Sequence, residues 1–100
     1  MSGFHFHKSY ELILFMCDNA TMHIENRVYH VEKGDLFLIN DKEYHKTSGV
    51  KDAEYNRYVL MFEPQKFQQL EHLWGCTFLQ YFEVRPENFI HKVNLKDANL

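Results

Sequence analysis

The chain has 100 residues, enough for one domain around one hydrophobic core and too few for two. A net charge of -3 and a pI near 6.1 exclude a basic nucleic-acid-binding surface as its main feature. No apolar run approaches the ~20 residues that span a bilayer, and no charged stretch precedes an apolar one at the N-terminus. A cytoplasmic protein with no membrane partner is therefore expected, with Cys17 and Cys76 as reduced thiols in apolar surroundings.

Strand signals fill the first sixty residues. Tyr10 to Cys17 is a short, nearly continuous apolar run, the pattern of a strand covered on both faces. From Ala20 the chain alternates, with Met22 and Ile24 on one face and Thr21, His23 and Glu25 on the other. Glu25-Asn26 interrupts it, and alternation resumes over Val28 to Glu32, so the two runs read as a hairpin. Lys33-Gly34-Asp35 reads as a tight turn into a buried strand from Leu36 to Ile39. Residues 40–43 and 47–53 read as polar loops, and Tyr55 to Phe62 as a long strand.

The texture changes at Pro64, a residue suited to a first helical turn. Phe67, Leu70 and Trp74 follow at helical spacing, a stripe expected to pack on the barrel, and Gly75 is placed to end the helix. Phe78, Leu79 and Phe82 suggest a second short helix, and Phe89 to Val93 one more strand. Strands first and helices after argue for an antiparallel barrel or sandwich with appended helices, not a parallel α/β sheet. The expected division is a β-barrel core over 1–63 and a helical extension packed on it over 64–100. The residues after Val93 read as the opening of an element that continues further.

His5, His7 and Glu11 share parity, so a strand carries them on one face. His45 follows the next buried strand and its loop, and can reach the same cavity if the two strands are neighbours. Three imidazoles and a carboxylate can hold a divalent ion such as Zn, Ni, Mn or Fe with a position left open. They can equally hydrogen-bond an organic ligand without metal, or only shape the pocket. Arg57, if it faces inward, can grip an anionic or hydroxylated ligand; if outward, it pairs with a surface acid. His23, His30, His72 and His91 read as surface or internally satisfied residues.

These stretches resemble the paired motifs of cupins. His5, His7 and Glu11 match the first motif; Gly34 and His45, at the expected separation, match the second. Asn40 stands where Pro is usual, Lys42 where Gly is usual, and the first motif's leading Gly is not at its usual separation. The closer resemblance is to the N-terminal sensor domain of AraC/XylS-family transcription regulators. It runs from His7 to the helix at Pro64, and Gly34-Asp35-Leu36-Phe37-Leu38-Ile39 followed by a loop and His45 is its most telling piece.

The resemblance implies a mainly β, jelly-roll (double-stranded β-helix) barrel with C-terminal helices. A small polar effector, sugar-like, would bind in its mouth, with His5, His7, Glu11, His45 and Arg57 as contacts. It also implies a homodimer built through helices after the barrel, and DNA reading by a helix-turn-helix part that this chain does not contain. A non-enzymatic sensor is the leading expectation. A metal-dependent cupin enzyme, a dioxygenase or isomerase, is the alternative, and a purely structural barrel the third.

Overall fold

Alternation over the first sixty residues becomes two antiparallel sheets that face each other across one core. A computed structural model describes residues 9–49, 56–75, 77–86 and 89–96. The strands are β1 (Tyr10–Phe15), β2 (Ala20–Ile24), β3 (Arg27–Val31), β4 (Asp35–Ile39), β5 (His45–Ser48) and β6 (Arg57–Phe62). Helices α1 (Pro64–Trp74) and α2 (Gln80–Glu83) follow, and β7 (Lys92–Asn94) is the last element. One sheet has the order β6-β1-β4-β7 and the other β3-β2-β5. The chain changes sheet after β1, β3, β4 and β5, while β2 and β3 form a hairpin within one sheet; the expected mainly β fold is borne out.

The core between the sheets takes Ile13, Phe15, Phe37 and Ile39 from the first and Ala20, Met22, Ile24 and Val31 from the second. Each such side chain removed from water contributes roughly 1.5–3 kcal/mol before entropy is charged against it. Phe37 sets its ring edge-on to both Phe15 and Tyr29, at 5.6 Å in each case. The other face of the first sheet is covered too. Tyr10, Leu79 and Phe82 are buried there, with Leu12, Leu38, Phe62, Phe67 and Phe78 against them. That second layer is why β1 reads as apolar on both faces.

Three local differences from the sequence reading have physical causes. β5 occupies part of the expected loop over 47–53. Its residues are polar, and pairing with β2, Ile24 to His45 through Thr21 to Ser48, makes it a strand. The α1 stripe packs only in part: Phe67 lies 4.5 Å from the Phe62 ring, whereas Trp74 is 71% exposed. α1 stops at Gly75, whose φ of +68° lets its N–H reach the Glu71 carbonyl. Finally, the strand expected over Phe89 to Val93 is present but shorter and later, as β7 beside β4. Of the two thiols, Cys17 is free and half-buried; Cys76 lies outside the described residues.

The Gly34-Asp35 turn joins this late strand to the early ones. Gly34 has a φ of +92°, and a Cβ there would meet nothing closer than the Asn94 side chain at 3.6 Å, an ordinary contact. Only the backbone opposes a larger residue. Gly34→Ala should therefore cost about 1–2 kcal/mol, read as a shift in urea midpoint with unchanged slope. An unchanged midpoint would contradict the left-handed turn. Asp35 is buried and accepts from the Glu32 N–H at 2.8 Å, Lys92 Nζ at 3.2 Å and Asn94 Nδ2 at 2.8 Å. The carboxylate thus fastens β7, which gives the Gly-Asp pair a structural reason.

Candidate functional site

Strand register decides which side chains enter the space between the sheets. Cross-strand partners share a face. Glu11 lies opposite Ile39 and Met61, and His45 opposite Ile24. Ile39 and Ile24 are fully buried in the core, so Glu11 and His45 project inward from opposite sheets. They meet there: His45 Nε2 is 2.8 Å from Glu11 Oε2, both side chains remaining partly exposed. A carboxylate only accepts, so Nε2 donates the proton.

The same register places Arg57 inward, because it lies opposite the fully buried Phe15. Its Nη1 donates to Thr47 Oγ1 on β5 at 3.3 Å. Between these two polar contacts β6 carries Val59 and Met61. Both face inward by register, yet they are 45% and 60% exposed. The edge between β5 and β6 is therefore partly open to water. It presents a carboxylate acceptor, an imidazole donor and a guanidinium around an apolar strip. That set matches a small molecule with hydroxyl or anionic groups and one less polar face.

The structure brings Glu11 and His45 into contact, and places Arg57 on Thr47, four residues along β6 from the Glu11 partner Met61. His5 and His7 lie outside the described residues. Among the described residues, no group of three or more His, Cys, Asp or Glu side chains is placed to share a metal ion.

The opposite seam, between β3 and β7, is closed by a network the sequence did not reveal. Glu43 Oε2 receives His91 Nε2 at 2.6 Å and Arg85 Nε at 3.1 Å, and its Oε1 receives Arg85 Nη2 at 3.2 Å and the Asn40 N–H at 3.2 Å. In the neutral ring His91 Nδ1 then accepts from the Tyr29 hydroxyl at 2.7 Å. Tyr29 Oη also receives the His91 backbone N–H at 3.3 Å. Arg85 stacks over the Phe89 ring at 4.0 Å, and Arg27 donates to the Phe89 carbonyl. His91 is 5% exposed and internally satisfied, one of the two roles expected for it. Burial pushes the Glu43 carboxyl up, but hydrogen bonds from Arg85, His91 and the Asn40 N–H outweigh it and hold it below the usual carboxylate range. Nothing in the spacing of Glu43, Arg85 and His91 announces this contact, because 42 and 48 residues separate the partners.

No helix among the described residues is long and apolar enough to cross a membrane. No curated protein and no solved structure matches the chain. The sequence pattern of the family described as the AraC-like ligand binding domain matches residues 2–89. Across the matched span lie the Gly34-Asp35 turn, strands β1 to β6, the Glu11–His45 contact and both helices, whereas β7 follows it. The chain belongs to the AraC-like ligand-binding domain family.

Proposed function

We propose that this domain is the effector-sensing part of a cytoplasmic transcription regulator and binds a small polar metabolite, sugar-like in its hydroxyl content, in the β5–β6 mouth. The observation that carries this is the inward contact of Glu11 with His45 across the two sheets, beside exposed inward-facing Val59 and Met61. An organic ligand can replace each protein–protein hydrogen bond with one of its own while covering the apolar strip. Arg57 then supplies the charged donor. The domain works as a homodimer, and DNA is read by a separate helix-turn-helix part of the regulator. Both points rest on the family. It turns nothing over; its output is a difference in affinity between two states.

The test is calorimetric titration with a panel of pentoses, hexoses and sugar acids. Saturable binding is expected, and His45→Ala should weaken it by about tenfold or more, the loss of one hydrogen bond to a charged or polar partner. The melting temperature of the variant should stay close to that of the parent. Binding that ignores both His45→Ala and Arg57→Ala would place the ligand elsewhere.

A metal-dependent reading has one observation in its favour, since two of the four predicted ligands do meet. At 2.8 Å the two atoms share a proton; donor atoms around one tetrahedral zinc stand roughly 3.3 Å apart, so a small outward movement of His45 would be required. A bound Zn, Ni, Mn or Fe would polarise an oxygen of the ligand. Elemental analysis of protein purified without chelators decides this reading. Near one metal per chain, lost in His45→Ala, supports it, and no metal after incubation with each ion sinks it.

A further inference from the structure

We propose that Glu43 is the joint that positions His45 in the mouth and carries changes there to residues 81–86 and 89–95. The inference rests on the sensor reading, because it concerns how occupancy of that same mouth would leave the domain. Five residues separate the two ends of the matter: β4 ends at Ile39 and β5 begins at His45. The loop between them is fastened at each end to different elements. Asn40 Nδ2 donates to the Phe82 carbonyl in α2 at 2.9 Å, and the Tyr44 N–H donates to Glu25 Oε1 at 3.0 Å. In the middle Glu43 commits both oxygens to Arg85 and His91, far along the chain.

The far side is equally connected. Arg85 donates to the Leu38 carbonyl at 3.0 Å and to the Tyr81 carbonyl at 2.7 Å. The Leu38 N–H donates to the His91 carbonyl at 2.9 Å, and the Leu95 N–H to Gly34 at 3.0 Å. So one carboxylate, two residues before the mouth histidine, ties Arg85, which follows α2, and His91, which precedes β7, to the loop after β4. A ligand that takes the proton of His45, or takes its place on Glu11, must move the start of β5. Close-packed interiors pass such a movement on and do not absorb it locally. It meets the Tyr44–Glu25 contacts first and the Glu43 contacts next. Linkage makes the effect reciprocal: loosening Glu43 alters His45, and altering the mouth changes the hold on residues 81–86 and 89–95.

Amide hydrogen exchange on the full, ¹⁵N-labelled chain tests this without any ligand. Glu11→Ala removes the mouth partner of His45. It should speed exchange at the Leu38, Val84 and Leu95 amides by about threefold or more relative to Met22 in the other sheet. In an Arg85→Lys background, where the fork on Glu43 is broken, the same substitution should change them less than about 1.5-fold. Glu43→Gln, which weakens the same contacts from the other side, serves as the second background if Arg85→Lys does not fold. Equal effects in both backgrounds, no effect, or uniform acceleration that includes Met22 each overturn the coupling. Since no ligand enters, the coupling can fail while sugar binding stands, and sugar binding can fail while the coupling stands.

Discussion

Glu43→Ala is expected to lower the unfolding free energy by about 2–4 kcal/mol, because it leaves the Arg85 guanidinium and the His91 ring without their carboxylate in a largely dry seam. Side-chain exposures of 12% for Glu43 and 17% for Arg85 admit some water, which keeps the cost below that of a fully buried pair. A chain of this size loses roughly 4–8 °C of melting temperature per kcal/mol, so a fall of about 8–32 °C should be seen by calorimetry. The pH dependence has a definite sign. The folded carboxyl of Glu43 lies below its ordinary value. Its stabilisation is complete above the unfolded value of about 4.3 and is lost as pH falls through the folded one. The parent should therefore lose stability below about pH 4.3 more steeply than Glu43→Gln, whose profile should be flatter there. A variant within ~0.5 kcal/mol of the parent would mean that the network does not hold the β3–β7 seam.

Phe82→Ala is expected to cost about 3–5 kcal/mol, the loss of a fully buried aromatic side chain with an unfilled cavity left behind. The Phe82 ring stacks on Tyr10 at 5.2 Å and stands edge-on to Phe62 and Phe78 at 5.3 and 5.4 Å. It therefore joins β1, β6 and the segment before α2 in one layer. Against a typical total of 5–15 kcal/mol, the variant should unfold at much lower denaturant, still in one transition. Two separate transitions would show instead that the helices form a detachable unit. A loss under ~1 kcal/mol would show that the outer layer does not depend on this ring.

The two variants probe parts of the molecule that differed greatly in legibility. β1 to β4 were readable because their side chains alternate at the period of a strand and because Gly34 marks a turn. Burial on the inner face forces that pattern on the residues. Glu11 and His45 were readable as partners for a related reason: parity along β1 and the short loop after β4 leave few alternatives for where they point. β5 was not readable as a strand. His45-Lys46-Thr47-Ser48 has no apolar alternation, and its conformation comes from hydrogen bonds to β2.

Local order along the chain determines periodicity, turns and the inward or outward sense of neighbouring residues, since these depend on backbone geometry over a few positions. The mainly β order of elements, the hairpin at Glu25-Asn26 and the start of α1 at Pro64 all followed from it. Contacts between distant segments do not follow, because loop closure brings together residues whose separation carries no periodic signal. The Glu43–Arg85–His91 network, the fastening of β7 by Asp35 and the exposure of Val59 and Met61 at an inward-facing edge belong to that class. Each depends on how two sheets and a returning strand are packed, and packing is decided by the whole chain at once.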